Sequence, residues 1–163
     1  MAEVQLLWDA SGFVKRYYGE TGQASVNVLF GIVPLRCMYI TPWGYAETYS
    51  ILLRRYNSGN FGPSAFRDAI SELQIDVLDA GSLQILSIDD ALIFGSPSLM
   101  QSHNINSADA AILATYLRFQ RATLKPCVLI ASDKRLNRAA EAEGLKSLNP
   151  EEVAAGDIPG WVS

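Results

Sequence analysis

The sequence predicts an α/β domain, a three-layer sandwich in which a parallel β-sheet is covered by helices on both faces. Three observations predict it. Short apolar runs alternate with helical stretches along the chain. The runs are almost continuously apolar rather than alternating, as strands buried on both faces are. No linker, repeat or low-complexity stretch divides the 163 residues, a length suited to one well-buried domain.

Residues 4–8 (VQLLW) form the first strand, ending at Asp9. Phe13, Val14 and Tyr17 then fall at helical spacing, and Gly19 and Gly22 separate this turn from a helix around Ala24–Phe30. MYIT at 38–41 is the second strand. Thr41-Pro42 supplies an N-cap and a proline at the first helical position, and that helix runs to about Tyr56, where Asn57-Ser58-Gly59-Asn60 stops it. From Pro63 to about Leu78, the stripe Phe66, Ile70, Leu73, Val77 marks another helix. After the Ala80-Gly81 break, LQILSI (83–88) is the third strand, and Asp89-Asp90 open a helix broken near Gly95-Ser96-Pro97. Asn104–Ser107 is a polar turn. Asp109 begins an amphipathic helix to Arg121, with Ile112, Leu113, Tyr116 and Leu117 inward. CVLIAS (127–132) is the fourth strand, Asp133 opens a helix closed by Gly144, and LKSL (145–148) is an edge strand. We expect residues 1–150 to form the domain and 151–163 a weakly specified tail.

Apolar residues make up 49% and charged residues 18%, a globular rather than disordered composition. The absence of a long apolar segment argues against a membrane span. Glu3, with no basic region before the short apolar run, argues against a signal peptide. The expected location is therefore the cytoplasm. Cys37 and Cys127 each lie in an apolar run and read as buried small hydrophobes. Seventeen acids against 13 bases give a net charge of −4, the opposite of a general nucleic-acid coat.

The chemistry lies in four carboxylates. Ligands of an open parallel sheet bind at the carboxyl ends of the strands, where strand order reverses. Asp9 ends the first strand and Asp133 the fourth; Asp109 begins the helix leading into that fourth strand, and Glu47 lies in the second turn of the helix after the second. A carboxylate cluster without cysteine or histidine selects hard cations such as Mg²⁺ or Mn²⁺, which clamp a phosphodiester and lower the pKa of a bound water. Helix capping alone offers a competing explanation for the three aspartates, since capping acids gather at this edge in any such fold. Asp89-Asp90 illustrate it. Glu47 is too far into its helix to cap it, and its neighbours Trp43, Gly44, Ser50 and Ile51 offer no salt-bridge partner.

The stretch LLWDASGFVKRYYGE resembles the opening of PIN domains, and TPWGYAETYSILLRR their second motif, with Glu on a helix. INSADAAILATYL resembles the third, and VLIASDKRLNRAAEAEGL the fourth. Together these motifs, in order, cover about residues 4–148. The resemblance implies a sheet of order 3-2-1-4-5, with Asp9, Glu47, Asp109 and Asp133 as catalytic and metal-binding residues for Mg²⁺ or Mn²⁺ and with Ser11 and Ser107 supporting them by hydrogen bonds. It further implies endoribonuclease activity and, for VapC-like toxins, a homodimer neutralised by a small antitoxin. A vestigial acidic pocket in a non-catalytic, PIN-like binding module is the alternative.

Lys15, Arg16, Lys134 and Arg135 begin the two helices that follow Asp9 and Asp133, and are candidate RNA-phosphate contacts. His103, the only histidine, reads as a surface residue, and without a G-x-S-x-G elbow there is no basis for a serine-hydrolase triad. No Walker loop or G-x-G-x-x-G is present. Haloacid-dehalogenase phosphatases also carry an Asp after their first strand, but with a second Asp two residues later, where this chain has Ser11. Trp43, Tyr45 and Tyr49 read as core or subunit surface.

Overall fold

The structure is a computed structural model that describes residues 3–79 and 81–163; Met1, Ala2 and Ala80 lie outside the described residues. The strands are β1 (Gln5–Trp8), β2 (Met38–Ile40), β3 (Gln84–Ile85), β4 (Cys127–Ile130) and β5 (Lys146–Leu148). They form one sheet of order β3-β2-β1-β4-β5, and every pairing is parallel. This is the topology and layering expected, with β1 and β4 side by side over four residue pairs, from Gln5↔Cys127 to Trp8↔Ile130.

Nine helices pack around the sheet among the described residues: α1 (Ala10–Phe13), α2 (Gln23–Ile32), α3 (Pro42–Asn57), α4 (Pro63–Leu78), α5 (Asp90–Gly95), α6 (Pro97–His103), α7 (Ser107–Thr123), α8 (Lys134–Ala142) and α9 (Pro159–Val162). Two apolar cores lie on opposite faces of the sheet. Leu6, Trp8, Ile40 and Ile130 pack with α1 to α4 in one, and Leu7 and Leu129 pack with α7 and α8 in the other. Successive β1 residues thus bury into different cores, as the period-two side-chain alternation requires.

Several boundaries differ from the sequence reading. The third strand shrinks to Gln84–Ile85, both exposed, because it is an edge strand paired only to the three-residue β2. The helical spacing after Asp9 resolves into α1 and a 3₁₀ turn at Val14–Arg16. Residues 151–163 fold back onto the domain. Ile158 is fully buried, Ser25 donates to the Val153 carbonyl at 2.7 Å, and Lys146 lies over the Trp161 ring. Both cysteines are free and buried. No helix among the described residues is long and apolar enough to cross a membrane.

Candidate active site

The carboxyl ends of β1 and β4 are locked together by one close approach and one hydroxyl. Gly12 packs so tightly on the end of β4 that a Cβ there would stand 2.6 Å from the Ile130 carbonyl oxygen. This brings the neighbouring Ser11 across the gap. Its hydroxyl donates to Asp9 Oδ2 and accepts from the backbone N–H of Ser132 at 2.9 Å and of Asp133 at 3.3 Å. Asp9 caps α1, taking the Ser11 N–H at 3.0 Å. Asp133 caps α8, its Oδ1 taking the N–H of Arg135 at 2.8 Å and of Leu136 at 3.1 Å. One serine therefore fixes the relation between two acids that are 124 residues apart in sequence.

The other two acids come from helices. α7 begins at Ser107, so Asp109 is its third residue and not its first; the cap is Asn106. Asn106 Oδ1 accepts the Asp109 N–H at 2.8 Å while its Nδ2 donates to Asp109 Oδ2 at 2.8 Å, so one side chain both caps the helix and holds the carboxylate. Glu47 lies in the second turn of α3, behind the Thr41 cap and Pro42. The Trp43 indole N–H donates to Glu47 Oε1 at 3.0 Å, a partner that a search for opposite charges could not find.

All four acids line one small pocket, together with Ser11, Arg54 and Asn106. Burial and the neighbouring charges together oppose ionisation at Asp9, Glu47 and Asp109. Burial, then the charges of Asp9, Asp133 and Glu47, push the Asp109 carboxyl up to about 7. Glu47 is raised by burial and by Asp9, with Trp43 and Arg54 acting the other way. Asp9, 5% exposed, is raised by burial against the bonds from Ser11, with Asp133 adding to the rise. Among the described residues, however, no three such side chains close around a single point as a ready-made metal cluster. Each carboxylate is instead held by hydrogen bonds to its own chain neighbours. The donor set is all oxygen, the chemistry a hard cation takes; Mg²⁺ in particular keeps several waters and needs only one or two direct carboxylates, which a pocket lined by these four acids can supply.

The remaining sequence candidates fall elsewhere. Ser107 lines an adjoining apolar groove with Trp43, Ile93 and Phe94, and it is Asn106 that bonds Asp109. Lys15 is not available to a phosphate: it is 2% exposed, with Nζ between Glu20 at 3.0 Å and Glu151 at 2.6 Å. Arg16 stacks on Phe30 and faces Asp76. Lys134 is exposed but paired with Glu152; Arg135 is exposed, and neither lines the pocket. His103 is partly buried and bonded to Glu143 at 2.7 Å, so it joins α6 to α8 rather than standing free. Asp89 does cap α5, as expected, and pairs with Arg118. Tyr45 and Tyr49 pack against the first core, whereas Trp43 is 54% exposed.

Sequence reasoning missed Asn106 and Arg54. The first had a signal, Asn-x-x-Asp at a helix start; the second stands seven residues after Glu47, two helical turns along the same face.

Comparison with known proteins adds an independent line. The sequence model of the PIN domain matches residues 9–142. Among solved structures, the chain is similar to the Mycobacterium tuberculosis toxin VapC20, described as cleaving the sarcin-ricin loop, at 16% identity and a TM-score of 0.61, covering 83% of this chain and 95% of that one. It is similar to a toxin-antitoxin complex from Klebsiella pneumoniae at 16% identity and 0.58, covering 91% and 100%, and to FitAcB from Neisseria gonorrhoeae at 15% and 0.60, covering 91% and 100%. At these identities the structures speak for the fold alone. No curated protein matches the sequence.

Proposed function

The chain belongs to the PIN-domain family, and from that premise we propose that it is a Mg²⁺- or Mn²⁺-dependent endoribonuclease, the toxin of a toxin-antitoxin pair. The observation that carries the reading is the convergence of Asp9, Glu47, Asp109 and Asp133, from four separate elements, on one pocket at the carboxyl edge of the sheet. Capping explains the placement of Asp9 and Asp133. It does not explain Glu47, nor why Asp109 is left in a site that opposes its ionisation.

These four carboxylates would hold the ion, whose chemistry when bound is to neutralise phosphoryl oxygens and activate an attacking water. The chain's own contribution is positioning. Ser11 sets Asp9 against Asp133, Asn106 orients Asp109, and the Trp43 indole orients Glu47 and favours its charged form. RNA cleavage should stop in EDTA and fall by orders of magnitude in Asp9→Asn and Asp109→Asn; cleavage at the wild-type rate in those variants would refute the assignment.

The rival reading, a binding module with a vestigial pocket, draws on the absence of a closed metal cluster among the described residues. Thermal melting with Mn²⁺ separates the two. A metal that binds only the folded chain at about 100 times its Kd adds about 2.7 kcal/mol, and Glu47→Gln should diminish the gain; no gain at millimolar Mn²⁺ supports the binding module. A small antitoxin and a homodimer belong to the same proposal. They are supported by the apolar groove beside the pocket, where Phe94 is 80% and Ile93 46% exposed, the kind of patch that marks a protein partner.

A further inference from the structure

An acidic pocket that receives RNA gains from a cation that holds the strand, and Lys15, Arg16, Lys134 and Arg135 do not line it. Arg54 does. It lines the pocket with Glu47, Ser50 and Asp133 and is exposed. Its Nη1 donates to Ser50 Oγ at 2.9 Å, which steadies the guanidinium on its own helix. Its remaining donors make no hydrogen bond or ion pair among the described residues.

Arg67, Arg121, Arg135 and Arg138 also make no ion pair among the described residues, but none of them lines this pocket, and the combination distinguishes Arg54. The neighbouring Arg55 is held by Glu20 at 3.1 Å and lies over Tyr18; Arg16, Arg36 and Arg118 each face a carboxylate. An arginine fork that stays open beside four acids, and closes on none of them, is free for an anion that comes with the substrate.

We infer that Arg54 binds a backbone phosphate of the RNA strand at the mouth of the carboxylate pocket, an inference that rests on the nuclease reading. A phosphate there accepts two parallel N–H bonds from the fork, which sets the register of the strand without reading its sequence.

The test uses the full chain with a short fluorescein-labelled single-stranded RNA, with Ca²⁺ neutralising the carboxylates in the binding assay, and Mg²⁺ for cleavage. Arg54→Ala should weaken binding roughly tenfold across unrelated RNA sequences, and flatten the dependence of log K on log salt by about 0.7, the release expected for one single-strand phosphate. KM should rise more than kcat falls. Arg54→Lys should restore the salt slope but not the full affinity, because a point charge cannot replace the fork. Arg138→Ala, an exposed residue that does not line the pocket and makes the same change in net charge, should leave the salt slope as it is. Wild-type affinity and slope in Arg54→Ala, in a protein that cleaves RNA, would overturn the arginine assignment alone. A wild-type protein that neither binds nor cleaves RNA would overturn the nuclease reading, and this inference with it.

Discussion

Removing the charge of Asp109 should stabilise the metal-free protein, by an amount that grows as pH rises from about 4 to about 7 and is constant above. Burial and the neighbouring carboxylates push the Asp109 carboxyl up to about 7 in the folded chain, against an ordinary 3.8. Between those values the folded state binds more protons than the unfolded one, so stability falls as pH rises through this window. The distance between 3.8 and about 7 sets a ceiling of about 4 kcal/mol. Asp109 is partly open to solvent, and screening leaves on the order of 1–2 kcal/mol, or about 3–6 °C in Tm for a chain of this size. Asp109→Asn keeps a carbonyl oxygen that can accept the Asn106 Nδ2 bond and leaves the backbone bond to Asn106 untouched. Melting curves in EDTA at low salt should therefore coincide near pH 4 and separate by pH 8, with the variant the higher. Saturating Mn²⁺ should raise the wild type by more than the variant and close the gap. A variant no more stable than wild type at about pH 8, or a gap independent of pH, would show that the folded chain does not oppose the ionisation of Asp109.

Other perturbations follow from single contacts. Gly12→Ala forces a methyl group against the Ile130 carbonyl, 2.6 Å away, and should cost about 1–3 kcal/mol, seen as a lower melting temperature; an unchanged Tm would mean that α1 does not sit where described. Lys15→Ala leaves Glu20 and Glu151 without their shared partner. Breaking a buried pair costs about 3–5 kcal/mol, and with both acids partly exposed the value should lie near the lower end, with residues 151–163 becoming accessible to limited proteolysis. Trp43→Phe removes the donor that favours charged Glu47; the acid limb of the pH–rate profile should move to higher pH, and an unmoved limb would separate Glu47 from the reaction.

The fold was legible because its strands bury both faces. Leu6, Leu7 and Trp8 are all fully buried, and such a run identifies a central parallel strand without reference to its partners. The reading weakened where that condition lapsed. LQILSI looks like a six-residue strand, yet only Gln84 and Ile85 pair; Leu83 serves one core and Leu86 and Ile88 lie against the other. The C-terminal segment was opaque for a different reason. Its anchor, the bond from Lys15 to Glu151, spans 136 residues, and nothing local announces a contact of that range.

The same limit governed the charges around the site. Glu47 stood out because its helical neighbours include no opposite charge. Applied to Arg54, that test succeeds as well: its neighbours at three and four residues are Ser50, Ile51, Asn57 and Ser58, and the guanidinium has no acid beside it on α3. Applied to Lys15 it misleads. Ser11, Gly12, Tyr18 and Gly19 are all uncharged, yet Glu20 and Glu151 reach Lys15 from beyond the helix and bury it. Helical spacing therefore finds charges that lack a neighbour on their own element, and only the tertiary structure tells which of them remain free. Arg54 and Lys15 are indistinguishable by the first criterion and opposite by the second, which is why the cation that belongs to the pocket emerged from the fold and not from the motif that follows Asp9.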